Sequence, residues 1–252
     1  EDVGVSYYEG RRTYDSSYKP MIYPLMEEYA RSGRWLGVYP QITQVFRTVF
    51  PWTAPQFIQY RAQEFVEKGL RCMIGYAVPS NRFHEFNVMA EAEWTWNARG
   101  RSPEEFARAY ALAKGMANPE GFARWAIMQG NAGWVLAESR LLLTMIYDPS
   151  RGLDASRSQA PADDHRFESA GIVRVSGVPG ALEQAHEALA LAQEVGDAAM
   201  IDESAATLAG LEALEILYAL PQQLKAEPLE GANRAALAEA LDRLDRAAIA
   251  LR

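Results

Sequence analysis

The chain has 252 residues and a hydrophobic fraction of 49%, enough for a substantial core, which excludes disorder over its whole length. Its 25 Lys and Arg against 33 Asp and Glu leave a formal charge of −8, which argues against a nucleic-acid binder that must neutralise phosphates. The single cysteine, Cys72, excludes an internal disulfide and a cysteine-based zinc site, and no apolar run is long enough to span a membrane.

Residues Glu1 to Val5 carry neither an initiator Met nor a signal-peptide pattern and lead directly into an apolar segment. This is expected of a chain that starts inside a larger protein. A periplasmic or secreted location is expected only if that larger protein carries a signal peptide. Val3 to Tyr8 reads as a short buried strand. Pro20 to Ser32 reads as a helix stopped by Gly33, and Trp35 to Tyr39 as the next strand, ended by Pro40. Thr53 is placed to cap a helix from Ala54 to Lys68, with Pro55 in its first turn and Gly69 as its stop. Cys72 to Val78 reads as a third strand, ended by Pro79. Phe86 to Trp96 fits a helix or a strand by period. Strand, helix, strand, helix, strand implies parallel pairing with right-handed crossovers.

Helices with clear start signals follow. Ser102-Pro103-Glu104-Glu105 is a capping box with Pro at the first helical position, and Asn118-Pro119 opens the next helix in the same way. Asp148 to Gly180 is polar and reads as a linker or long loop. Beyond it, amphipathic helices are expected over Ala181 to Val195, from Asp197 to about Leu220 before Pro221, and over Asn233 to Leu251, with leucines at helical spacing. All six tryptophans precede residue 145, and the tail is rich in Ala, Leu and Glu. This divides the chain into residues 1–147, a connection over 148–180, and a helical bundle over 181–252. The apolar stripes of that bundle need cover, either from the first part of the chain or from a second copy, so a homodimer through the tail is expected.

If the first part is a parallel α/β barrel, its chemistry belongs to the C-terminal ends of the strands. The residues there are Tyr8 and Glu9, then Tyr39 and Gln41, then Tyr76 and Asn81, then Glu93, Trp94, Trp96 and Asn97. Aromatic planes suit the C–H faces of a sugar, and amides and carboxylates suit its hydroxyls. The competing reading is that the aromatics are core. Glu9, Glu91 and Glu93 divide in the same way. They are either rim acceptors for hydroxyls or structural carboxylates paired with an arginine such as Arg82 or Arg99.

Gly75 to Asn81, followed by Asn87 to Asn97, resembles the last two barrel strands of the β-N-acetylhexosaminidases of glycoside hydrolase families 20 and 84, and of α-glucuronidase-like barrels. The Trp94-Thr95-Trp96-Asn97 segment carries the likeness, and Arg99 to Phe106 is similar to the helix start that follows. Arg82 and Ala98 stand where the family pattern has proline. The resemblance spans residues 1 to about 145 and is strongest over 73 to 125. It implies a partial (β/α)8 barrel, with late strands only, followed by an all-α bundle. It further implies a retaining exo-glycosidase acting on a carbohydrate substrate, with no cofactor. The adjacent acidic pair that such chemistry needs follows no strand in this sequence, so the resemblance puts it upstream of residue 1. The missing strands would come from upstream sequence or a second chain. The alternative is a non-catalytic carbohydrate-binding or scaffold module with a helical interaction domain. Asp163, Asp164, His165 and Glu168 carry metal-capable atoms without a converging set, so no metal is expected.

Overall fold

A computed structural model describes residues 31–33, 37–38, 52–67, 69–75, 82–138, 177–226 and 232–250. Helix accounts for 79% of what it describes and strand for 2%. Seven helices are described: α1 (Pro55–Glu67), α2 (His84–Trp96), α3 (Pro103–Ala113), α4 (Pro119–Glu138), α5 (Gly177–Val195), α6 (Ala198–Ala226) and α7 (Ala232–Ala250). The described strands are β1 (Gly37–Val38) and β2 (Cys72–Met73), which pair in parallel, Gly37 with Cys72 and Val38 with Met73. This is no partial (β/α)8 barrel. The expected first strand, Val3 to Tyr8, lies outside the described residues, and the segment expected to supply the last strand is helical.

The reason lies in α2. As a strand, this segment would put Phe86, Val88, Ala90, Ala92, Trp94 and Trp96 on one face. Instead Phe86, Asn87, Ala90 and Trp94 are buried, whereas Val88, Met89, Ala92 and Trp96 are exposed. Burial at i, i+4 and i+8 is the period of a helix.

Local signals set most helix ends. At the end of α1, the Leu70 N–H donates to the Phe65 carbonyl at 2.9 Å and the Gly69 N–H to the Val66 carbonyl at 3.0 Å, with Gly69 at φ 77°. That double closure needs a left-handed residue, which glycine supplies. Ser102 makes its capping box: its hydroxyl accepts from the Glu105 N–H at 3.2 Å, and its own N–H donates to the Glu105 carboxylate at 2.8 Å. Asn118 accepts from the Gly121 N–H at 2.8 Å, and Asp197 from the Met200 N–H at 3.0 Å.

Three expected boundaries move. The Ala54 carbonyl accepts the first bonds of α1, from Phe57 and Ile58, so Thr53 is not its cap. Helix α5 starts at Gly177 rather than Ala181; Val178 is buried there, and Pro179 sits in a first turn whose N–H groups have no intrahelical acceptor. Helix α6 runs through Pro221 to Ala226 while packing along α5 and α7, so tertiary contact overrides the hydrogen bond that the proline removes.

One core crosses the compositional boundary. Phe86, Trp94, Phe106, Tyr110, Phe122 and Trp125, from α2, α3 and α4, form an aromatic cluster with Ala188, Leu191 and Ala192 of α5 and Met200 of α6. A second cluster joins Val135 and Leu136 of α4 to Ala181 and Ala185 of α5 and Leu208, Leu211 and Leu214 of α6. On α5, Ala181, Ala185, Ala188 and Ala192 are fully buried at spacings of four, three and four. These small side chains let α5 lie close against α4 and α6. The bundle of the tail therefore includes α4.

Candidate functional site

The proposed sugar-binding residues do not assemble among the described residues. Tyr8, Glu9, Tyr39, Gln41, Tyr76 and Asn81 lie outside them, as do Asp163, Asp164, His165 and Glu168. Trp94 is wholly buried; its indole N–H donates to the Arg101 carbonyl at 3.0 Å, and its ring lies 5.1 Å from that of Phe106. Trp96, two residues on, is 92% exposed. Two positions on a helix are about 200° apart, so these two tryptophans cannot wall one pocket. Asn97 caps the end of α2, and its side-chain oxygen accepts from the Arg99 N–H at 3.2 Å. Glu93 lies 3.8 Å from Arg101, so of its two readings the ion pair is the one present, with Arg101 in place of Arg82 or Arg99. Arg82 reaches Asp202 instead, at 3.5 Å.

Glu91 is half-buried beside β2. It accepts from the Gly75 N–H, while burial raises its pKa above the usual carboxylate value. A Cβ on Gly75 would lie 2.0 Å from the Glu91 carboxylate, so a larger residue there would push that side chain aside.

The most unusual chemistry is a buried polar seam where the start of α1, the middle of α4 and the first turns of α6 meet. Thr53, Gln56, Gln129, Asn131, Glu203, Ser204 and Thr207 are all buried there. The Gln129 amide N–H donates to the Thr207 hydroxyl at 2.7 Å and reaches the Glu203 backbone carbonyl at 3.4 Å. The Gln56 amide N–H donates to the Ile127 carbonyl at 2.9 Å and to the Asn131 side-chain oxygen at 3.1 Å. A Cβ on Gly130 would come within 2.5 Å of that Gln56 nitrogen, so a glycine on α4 makes room for the amide.

The Glu203 carboxyl is completely buried, with Thr53 and Gln129 nearest to it. Thr53 turns its hydroxyl and N–H toward the carboxyl without the alignment of a well-formed hydrogen bond, and both carboxyl oxygens lack a full partner. No cation faces it among the described residues. Burial pushes its pKa up to about 7, outweighing the favourable Thr53 and Gln129 contacts. Such a carboxyl holds a proton near neutrality, but with no exposed atom in the seam it meets no substrate in this arrangement.

Sequence reasoning missed this seam, although a signal was present. The stripe of Leu208, Leu211 and Leu214, continued toward the N-terminus at spacings of three and four, lands on Thr207, Ser204, Glu203 and Met200. Polar side chains in the phase of a core stripe are the mark of a buried polar network.

The described residues hold no group of three or more His, Cys, Asp or Glu that would bind a metal, and none of their helices is long and apolar enough to cross a membrane. No family model, curated protein or solved structure matches this chain.

Proposed function

We propose that this chain is a non-catalytic helical interaction module that presents the outward face of α2 to a protein partner. One observation carries the reading. Trp96, 92% exposed, lines up along α2 with Val88 and Met89, 38% and 41% exposed, and with exposed Ala92. The opposite face of the same helix is fully packed, so α2 is apolar on both sides. Exposed Trp and Met in one stripe are typical of protein contact surfaces rather than of free surface. Sugar sites need converging polar groups around the aromatic plane, whereas the exposed positions in line with Trp96, namely Val88, Met89 and Ala92, are apolar. The glycosidase reading rested on a barrel rim that the fold lacks, and nothing else favours it.

The test is a photo-crosslinker, p-benzoylphenylalanine, in place of Trp96 in native cells. The expected result is a protein adduct of discrete mass, absent when the crosslinker replaces exposed Glu104. No adduct would overturn the reading. Binding of the purified chain to immobilised glycans, lost in Trp96→Ala and without any protein adduct, would replace it with carbohydrate recognition.

A further inference from the structure

The first turns of α6 are held to the rest of the core by polar side chains that water does not reach. Ser204 accepts from Trp125, Thr207 accepts from Gln129, and Glu203 faces Gln129 and Thr53, which stands just before α1. Serine, threonine, glutamine and tryptophan keep one charge state across the ordinary pH range, so Glu203 is the member of this seam that can change. The seam is also short of donors. The side-chain oxygens of Gln56 and Gln129 and both oxygens of Glu203 are buried without a full hydrogen-bond partner. A proton on Glu203 turns one of these acceptors into a donor. An ionised carboxylate would instead stand in the core with no counter-charge among the described residues. We propose that the seam is a proton latch: the neutral Glu203 carboxyl holds the first turns of α6 closed against α4 and the start of α1, and its ionisation releases those turns to water.

The start of α6 is placed to open without the rest of the helix. Ala198 is exposed and Ile201 and Asp202 are partly exposed, so little structure separates Glu203 from solvent on that side. Further along, Leu208, Leu211 and Leu214 anchor α6 in the second apolar cluster. The charged groups of the surrounding helices are engaged elsewhere. On α1, Arg61 and Glu64 pair with each other at 2.7 Å, about two turns beyond Thr53. Glu120 and Arg124 of α4 are exposed, as are Glu183, His186, Glu187 and Glu194 of α5. On α7, Arg234, Glu239, Asp242, Asp245 and Arg246 are exposed, and Arg243 pairs with Glu212, more than two turns along α6 from Glu203. Asp202 pairs at the surface with Arg82 at 3.5 Å. Burial raises the closed-state pKa of Glu203 to about 7, and in water it returns to its ordinary 4.5. Closure therefore weakens as pH rises between those values and weakens no further above them.

Hydrogen–deuterium exchange of the full chain at about pH 5.5 and about pH 8, corrected for the intrinsic exchange rate, tests this. Peptides covering Ile201 to Thr207 should exchange about tenfold or more faster at the higher pH. Dilute urea should leave that rate unchanged, since so small an opening exposes little surface, whereas unfolding of the whole chain accelerates with urea. Glu203→Gln removes the pH dependence, because the amide does not ionise. Asp202→Asn breaks the surface pair with Arg82 and keeps the dependence. A rate equal at the two pH values, or one that climbs with urea in step with α3, would overturn the proposal. So would a dependence that survives in Glu203→Gln or disappears in Asp202→Asn. The parent chain alone decides the first two outcomes, so the test stands whether or not a variant folds.

Discussion

The Trp125 indole N–H donates to the Ser204 hydroxyl at 2.8 Å, across 79 positions of sequence. Both groups are buried, so this bond ties α4 to α6 where no water competes. It is one link in the packing that joins the aromatic first part of the chain to its alanine-rich tail. Ser204→Ala leaves the indole N–H buried without an acceptor, and the expected destabilisation is about 1–3 kcal/mol. Urea unfolding followed by tryptophan fluorescence and by helical circular dichroism measures it. The two signals should shift together, since one core holds both segments. A shift confined to the circular dichroism would mean that the tail unfolds on its own.

Glu203 makes stability depend on pH. Burial raises its folded pKa to about 7, from an ordinary value of 4.5 in the unfolded chain. Between those values the folded state binds more protons, so its stability falls as pH rises. The contribution is fully present below pH 4.5, is lost progressively up to about pH 7, and is level above. The total is on the order of 3 kcal/mol. Glu203→Gln keeps the shape and cannot ionise. It should be more stable than the parent at pH 8, and its urea midpoint should lack this fall between pH 5 and pH 7. A parent and variant with the same pH profile would show that Glu203 does not titrate in this window.

Which parts of this fold could be read from sequence follows from how local their causes are. The capping box at Ser102, the caps at Asn118 and Asp197 and the glycine stop at Gly69 depend on a few adjacent residues, and each is found where expected. Helix α2 was ambiguous because every even position from Phe86 to Trp96 is apolar, which satisfies a strand as well as a helix. Only burial decides between them, and burial depends on α1, α3 and α4. Of the expected strands Trp35 to Tyr39 and Cys72 to Val78 only part is described: Gly37–Val38 and Cys72–Met73 pair as strands, while Ile74 and Gly75, within the expected Cys72 to Val78 strand, do not. The seam escaped because Thr53 resembled a cap and Glu203 an ordinary helix-surface acid. Their burial is set by α4, more than 60 positions from either.

Gly130 should resist substitution more than Gly115, for a different reason. Gly115 closes α3 at φ 68° with open space where a Cβ would go, so Gly115→Ala costs backbone strain of about 1 kcal/mol. Gly130 has ordinary helical backbone, and alanine there has the better helix propensity. Its Cβ would, however, meet the Gln56 amide, which two hydrogen bonds hold in place. Displacing that amide strands the Asn131 oxygen in the core. Gly130→Ala should therefore cost about 1–3 kcal/mol despite its propensity gain. Gly130→Ala combined with Gln56→Ala should recover part of that loss. Thermal melts of the two single variants and the double variant form the cycle that checks this. Additive losses would mean that the two sites do not touch.

Trp94 and Trp96 give the sharpest contrast in the chain. They sit two residues apart on α2, yet one fills the core and the other faces outward. Trp94→Ala removes a wholly buried ring that contacts Phe106, and it empties the Arg101 carbonyl of one of its two donors, the other being Gln59 at 2.8 Å. The expected loss is about 3–5 kcal/mol, enough to threaten folding of the whole unit. Trp96→Ala removes a ring that is 92% exposed, and alanine has the higher helix propensity, so folding stability should change by no more than about 0.5 kcal/mol. Urea midpoints measure both. Similar losses for the two variants would place both rings in one environment and refute the helical phase of α2.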